Sequence, residues 1–316
     1  MNERYRKPVV FALIAAGGLV FSATLMGFAG KVWWVFDLFS HFRLQYFLSA
    51  LAVTILLAGF RSFRVAAGFA LCVAINLACI IPHYVGGVDE GSGGAFSLRM
   101  ATINVNNPSQ RYDLVREFIF ESAPDVLLLI EIDNRWAVAM EELHALYPYR
   151  KLEPREGFFG IALYSKIPLT ACEVIRFGEA ALPSIVAKIE HEGKLLTLVG
   201  THAHPPVSGA RARLRNNHLE ALAGYMGSLP GPKLVLGDLN ISPWSAYFNG
   251  LLERSGLVMG SKGQGIKATW PADSPFFLIP IDFCLVSGEL LVKSYTVGRN
   301  VGSDHYPIVV ELGLKE

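Results

Sequence analysis

A chain of 316 residues with 52% hydrophobic and only 17% charged side chains is greasier than an ordinary soluble domain. Its formal net charge of +1 lacks the basic balance of a general nucleic-acid binder. The length allows one large domain with an appendage.

The apolar excess lies in the first 85 residues. Pro8–Gly30 contains no charge over 23 positions, and Leu44–Phe60 and Val65–Ile81 are further uncharged runs of 17 each. About 20 apolar residues cross a bilayer core, with a range that begins near 17. Three membrane helices are therefore expected at about 8–30, 44–60 and 65–84 within an anchor covering 1–85. Arg43, Arg61 and Arg64 flank the shorter runs and can snorkel to the interface. A cleaved signal peptide would explain the first run alone, but two more follow it.

Arg4, Arg6, Lys7, Arg61 and Arg64 lie on one side of this arrangement, Lys31 and Arg43 on the other. Basic residues in short loops stay cytoplasmic, so an odd number of spans places everything after Val85 outside. Trp33, Trp34 and Phe36 on the outer loop suit an interfacial aromatic belt. The Gly-rich stretch 86–96 has the composition of a flexible linker, holding the remaining part, 97–316, some 15–20 Å from the bilayer.

Beyond the linker, strand and helix patterns alternate. Leu98–Val105 reads as a strand, Arg111–Ser122 as an amphipathic helix, Asp125–Ile130 as a strand and Asn134–Tyr147 as a helix. Phe158–Tyr164, Cys172–Phe177, Ile185–Glu190 and Lys194–Thr201 follow as strands, with a hairpin turn at His191–Gly193. Ala210–Met226 and Trp244–Arg254 read as helices around a strand at Lys233–Leu236. Ile281–Ser287, Leu291–Val297 and Ile308–Leu312 are the last strands. About ten strands and four helices, partly in strand-only blocks, imply two packed sheets with helices outside. Cys172 and Cys284 fall in or beside apolar strands, where a free buried thiol is the common case.

Polar residues close or interrupt these apolar runs: Asn104 and Asn106, Glu131, His202 and His204, Asp238 and Asn240, Asp282, and the adjacent Asp304 and His305. Strand ends that converge on one sheet edge would gather them. Carboxylates and amides are hard oxygen ligands suited to Mg²⁺ or Mn²⁺. A histidine paired with a buried carboxylate suits proton transfer or charge stabilisation. Together they point to metal-assisted attack of water on a phosphoryl centre. Each element alone is unspecific: Gly237-Asp238-Leu239-Asn240 also fits a turn, and Asp282 a capped strand end.

In order, Thr102–Asn106, Pro124-Asp125 with Glu131, Gly200-Thr201-His202, Gly237–Asn240, Ile281-Asp282 and Ser303–Ile308 resemble the endonuclease/exonuclease/phosphatase superfamily over Leu98–Leu312. The resemblance implies an α/β four-layer αββα sandwich of two mixed sheets with its site at one end. It implies Glu131 as the principal metal ligand, with Asn106 and Asp304 near the same Mg²⁺ or Mn²⁺. Asp238 and Asn240 would orient water, His305 with Asp282 would meet the scissile phosphate, His202 would bond a phosphoryl oxygen, and Asn104 would brace the ligands. Ile130 stands where many of the nucleases carry Gln. Thr201–Pro206, Asn240–Ser245 and Thr269–Pro271 look like a membrane-attached bacterial subgroup, and with the basic asymmetry above this makes a bacterial inner-membrane protein with its catalytic part outside the expectation.

Three functions remain in view: a phosphodiesterase or phosphatase of small or lipid-headgroup esters, a nuclease, and a tethered binding protein without catalysis. The presence of every signature polar residue disfavours the last. After Val85 the chain holds 21 basic and 25 acidic residues, a net of −4, which disfavours a general polyanion binder. Arg211, Arg213 and Arg215 form the one basic cluster, read either as a solvated helix face or as a grip for one phosphate. No obligate protein partner is implied.

Overall fold

The computed structural model describes residues 3–87 and 97–314. Most of the Gly-rich linker, 88–96, lies outside the described residues. Four helices open the chain: α1 (Glu3–Met26), α2 (Trp34–Phe39), α3 (Arg43–Gly59) and α4 (Phe63–Ile80). Three helical stretches there are long and apolar enough to cross a membrane. Val53, Leu57, Ala66 and Phe69 form their shared apolar seam, with Val10, Leu13 and Ile14 of α1 against it. Asn76 donates to Thr24 Oγ1 at 2.9 Å, a polar link of the kind that joins helices away from water.

The rest is a sandwich. One sheet contains β1 (Leu98–Asn104), β2 (Val126–Ile130), β3 (Tyr149–Glu153) and β4 (Ile161–Ser165), with α5 (Tyr112–Ser122) and α6 (Asn134–Ala139) between them in sequence. The other contains β5 (Leu169–Phe177), β6 (Leu182–His191), β7 (Lys194–His202), β8 (Lys233–Asp238), β9 (Val258–Met259) and β10 (Asp282–Val286), with α7 (Gly209–Ser228) and α8 (Ala246–Ser255) inserted. The last strands, β11 (Leu290–Val297) and β12 (Ile308–Leu314), return to the first sheet. Strand orders are β11-β12-β1-β2-β4-β3 and β5-β6-β7-β8-β10-β9. Each sheet has one parallel pair, β1 with β2 and β7 with β8, and antiparallel neighbours around it.

Alternation within β1 and β2 explains the four layers. Met100, Leu128 and Ile130 face the core between the sheets, while Ala101, Ile103, Leu127 and Leu129 face α5 and α6. A strand covered on both sides reads as a continuous apolar run rather than an alternating one. Phe248 and Leu251 of α8 and Leu219 and Leu222 of α7 close the opposite outer layer.

The boundaries differ from expectation where caps or prolines act. Asn134–Tyr147 is not one helix: α6 stops at Ala139 and a 3₁₀ turn, Glu141–Ala145, follows. β3 was not expected, because Tyr149–Glu153 is charged, half-exposed and sits behind Pro148 at a sheet edge. α8 begins at Ala246, after Trp244, because Ser245 caps it by accepting from Tyr247 N at 3.2 Å. All four cysteines are free.

The helical part is docked on the sandwich, with no spacer between their contacts. Asp37 of α2 and Arg215 of α7 meet at 2.6 Å, each side chain only 1% exposed. Ser245 Oγ donates to the other Asp37 oxygen at 2.6 Å. His41 and Ser242 share a 2.7 Å hydrogen bond, Gln45 donates to Leu278 O at 2.9 Å, and Trp244 donates to Cys79 O at 3.1 Å. Arg215 is therefore no part of an exposed phosphate grip. Its charge is answered inside the seam, and the expected cluster of three arginines does not form. Arg211 is exposed, and Arg213 lies on the surface 3.5 Å from Glu179.

Breaking one side of a buried ion pair typically costs about 3–5 kcal/mol, whereas apolar replacement of both is often neutral. Asp37→Ala and Arg215→Ala should each lower the unfolding free energy in detergent by that order, and Asp37→Leu with Arg215→Met should recover most of it. A double variant as unstable as the sum of the singles would show that the pair is not the origin of the loss.

Candidate active site

The polar residues at the strand ends meet at one end of both sheets. Asn104 ends β1, and the parallel register places it beside Ile130, so Glu131 follows at the same edge. In the other sheet His202 of β7 lies beside Asp238 of β8, and Asp238 lies opposite Asp282 of β10. His305 precedes β12, which runs antiparallel to β1 and so begins at the same edge.

Asn104 is the hub. Its amide nitrogen lies 3.0 Å from Glu131 Oε1, 3.3 Å from Asp238 Oδ2 and 3.4 Å from His305 Nε2. Its amide oxygen accepts from Asn106 N at 3.0 Å. Asn240 Nδ2 approaches His202 Nε2 at 3.2 Å and Asp238 Oδ2 at 3.3 Å, and Asn240 N donates to Asp238 Oδ1 at 2.8 Å. His305 Nδ1 pairs with Asp282 Oδ2 at 2.9 Å, leaving Nε2 turned toward Asp238 at 3.8 Å. Ser303 Oγ donates to Asn104 O at 2.7 Å and accepts from His305 N at 3.0 Å, locking the last loop to β1.

The backbone is unusual at this edge. Asn106, Glu131 and Asn240 have φ of 48°, 67° and 49°, a region that non-glycine residues seldom occupy. Such conformations persist where the surroundings over-determine them, and they concentrate at functional sites. Around Glu131, N–H groups of Glu131 and Ile132 donate to Gly160 O at 2.8 and 3.2 Å. Gly237, at φ 138°, precedes Asp238, and any Cβ there would collide with the Thr201 carbonyl. Glycine is required for β7 and β8 to approach at this point.

Burial and charge set the protonation pattern. Burial pushes the Glu131 carboxyl up to about 7, with Asp304 adding to the rise and Asn104 opposing it. Asp238 is raised by burial and then by Asp282. Burial disfavours the cation on His305, but Asp282, Asp238 and Asp304 outweigh it and raise its pKa to about 10. His202, buried and facing the His305 charge, falls to about 3 and stays neutral. One imidazolium thus stands among several carboxylates.

The donor set fits a hard divalent cation. Glu131 and Asp304 offer carboxylate oxygens that feel each other's charge, Asn106 lies on the loop after β1, and burial raises Glu131, so its anionic form calls for a counter-charge. A tighter trio exists, Asp238, Asp282 and His305, whose ligand atoms lie within 4.8 Å of one another. Those three are buried and already engaged with each other and with Asn104 and Asn240, so they form a hydrogen-bonded relay rather than an open coordination site.

Sequence reasoning missed Phe159 and gave Trp270 and Arg215 other roles. Trp270 Nε1 donates to Asp304 Oδ2 at 3.1 Å, and Ala272 N donates to Asp304 O at 2.7 Å, so the 269–272 segment orients Asp304. Phe159 packs on His202 and His204 at ring distances of 5.4 and 4.6 Å. Arg215 Nη1 donates to Asn240 O at 3.2 Å, tying the Asn240 backbone to the Asp37 pair. His204 has no hydrogen bond to the cluster and packs against Phe159.

A profile of the endonuclease/exonuclease/phosphatase family matches residues 101–305, which span the whole constellation. The chain belongs to that family. Its members include phosphoester hydrolases of the nuclease and phosphatase kinds. No curated protein matches the chain. Among solved structures it is similar to the human nocturnin catalytic domain with bound sulfate, at 20% identity, TM-score 0.59, 69% coverage of this chain and 95% of that one. It is also similar to D. rerio TDP2 complexed with a single-stranded DNA product, at 16% identity, TM-score 0.59, covering 69% and 99%. A family protein from Bacteroides vulgatus aligns at 20% identity and TM-score 0.57, covering 70% and 100%. At these identities the likeness is one of fold.

Glu131→Gln removes the charge that burial disfavours. In the parent this acid ionises near 4.5 when unfolded and near 7 when folded, so cation-free stability falls as pH rises through that window. Without divalent cations, Glu131→Gln should melt higher than the parent at pH 8 and show a flatter pH profile. Identical pH profiles for the two proteins would refute the raised carboxyl.

Proposed function

We propose that the chain is a membrane-anchored, divalent-metal-dependent phosphoester hydrolase. The observation that carries this is the convergence of Asn104, Glu131, Asp238, Asn240 and the Asp282–His305 pair on one edge, with acidic charge in excess of the one imidazolium. Glu131, with Asp304 and Asn106, would hold Mg²⁺ or Mn²⁺. The ion would supply charge stabilisation at the phosphoryl oxygens and a more acidic water.

The remaining work belongs to side chains. Asp282 fixes His305 as a cation and aims Nε2 into the cluster, where it would meet a phosphoryl oxygen and assist the proton transfers. Asp238, raised in pKa and bonded to the Asn240 amide, is placed to orient the attacking water and accept its proton. Neutral His202 steadies the Asn240 amide beside the phosphate position. Asn104 holds Glu131 and Asp238 at fixed separation.

The apolar helices support attachment to a bilayer, and the five-to-two basic asymmetry supports an extracytoplasmic catalytic face. Substrates near lipid headgroups, or small soluble phosphoesters, are favoured over nucleic acid, since residues after Val85 carry a net of −4. The single-stranded DNA bound by the D. rerio TDP2 neighbour keeps a nucleic-acid end as the second reading.

Purified full-length protein should hydrolyse phosphodiesters with Mg²⁺ or Mn²⁺ and lose activity in chelator. His305→Ala should lower kcat by about 10²–10⁴-fold, the usual worth of positioned proton transfer, at little cost in cation-induced thermal stabilisation. A loss under tenfold would make His305 structural. For topology, a reporter active only outside the cytoplasm, fused after Lys315, should give signal where a cytoplasm-dependent one is silent; the opposite result would place the site inside.

A further inference from the structure

A cavity of about 320 Å³ lies where the anchor's outer loop meets the catalytic edge. Leu38 and Phe42 form its anchor wall; Pro206, Val207 and Ile279 form the wall from the sandwich. Its lining is almost wholly carbon, and the one imidazole present, His41, is hydrogen-bonded to Ser242. Two larger cavities along the same seam, about 460 and 630 Å³, are lined partly by charged side chains such as Lys262 and Glu179.

The neighbours of its lining residues decide its meaning. Asn240 and Trp270, which also line it, bond Asp238 and Asp304 of the candidate cluster. Phe42, on the helical wall, leads without a break into α3, one of the apolar helices. The surface beside Phe42 is unusually greasy for a water-facing edge. Val207 of the lining is 67% exposed, and Phe277, 59% exposed, packs edge-on against Phe42 at 6.5 Å. Gln45, on the first turn of α3, holds this surface through Leu278 O. Exposed apolar groups gathered at the mouth of a groove mark a surface that meets lipid or an apolar ligand.

We propose that the substrate is an amphiphile, a lipid phosphoester whose hydrocarbon chain lies in this groove while its phosphoester reaches Asn240. This rests on the hydrolase function proposed above and names its substrate class. The volume is at the lower end for ligand pockets, about 300–1,000 Å³, so it takes part of one chain and leaves the remainder in the bilayer. A headgroup ester without a chain would bind only through the polar cluster.

A series of 4-nitrophenyl alkyl phosphodiesters, from methyl through butyl and octyl to dodecyl, tests this below their micelle thresholds. Water adds to phosphorus, the P–O bond to the aryl group breaks, and monoalkyl phosphate, 4-nitrophenolate and a proton are released. With full-length protein in nanodiscs and Mg²⁺, kcat/KM should climb by up to about fourfold per methylene and then level off as the groove fills. Val207→Asp and Leu38→Ser should drive the octyl-to-methyl ratio of kcat/KM toward one; the ratio cancels any general loss of activity. A flat series in the parent, with every ester cleaved equally, overturns the groove and leaves the hydrolase function intact. A photoactivatable diazirine-tailed phosphatidylcholine reads the groove independently of turnover. Labelling of the 205–207 or 279–281 segments, lost in Val207→Asp, supports it even if no ester is cleaved, and labelling confined to the membrane helices overturns it.

Discussion

The buried pair of Asp37 and Arg215 is the constraint on which the arrangement of this protein depends. Two charges are withdrawn from water, and that is costly unless every remaining donor and acceptor is met. Here they are met: Ser245 answers the second Asp37 oxygen, Asn216 Oδ1 accepts from Arg215 Nε at 2.9 Å, and the Asn240 carbonyl accepts from Nη1. The same few atoms join α2, α7, the cap of α8 and the backbone of Asn240. Moving any one of them strands a charge, so the register of the N-terminal helices against the sandwich is tightly specified.

That register matters because the candidate active-site edge is electrostatically poised. His305 is held cationic by Asp282, His202 is held neutral by burial, and Glu131 is held short of its ordinary acidity. Three neighbouring groups thus carry three different protonation habits within hydrogen-bonding reach of Asn104 and Asn240. The left-handed backbone at Asn106, Glu131 and Asn240 places the loops that carry them, and Gly237 lets the two central strands of the second sheet come close enough to share the work.

Much of this was legible in the chain. Glu131, Asp238 and Asp282 each interrupt an apolar run, and a carboxylate there is costly without a partner, so their convergence followed from strand ends alone. The continuous apolar run of β2, Val126–Ile130, announced a strand covered on both faces. Arg215 was misread because its partner lies 178 residues away and a local Arg-x-Arg-x-Arg pattern looks like a solvated or anion-binding face. Trp270 was read only as part of the Thr269–Pro271 motif, since an indole bonded to Asp304 across 34 residues leaves no periodicity. Most of the linker, 88–96, lies outside the described residues, and the contacts on either side of it determine where the sandwich sits.

The Trp270–Asp304 bond has an optical consequence. An indole N–H bound to a carboxylate feels that negative charge along the long axis of the ring system. Any cation that draws electron density from Asp304 changes the field on the chromophore, and with it the colour and yield of its emission. The chain holds five tryptophans, so replacing the other four by phenylalanine would leave a single built-in lamp beside the catalytic edge. Occupancy of that edge would then be readable by light, with no substrate turned over.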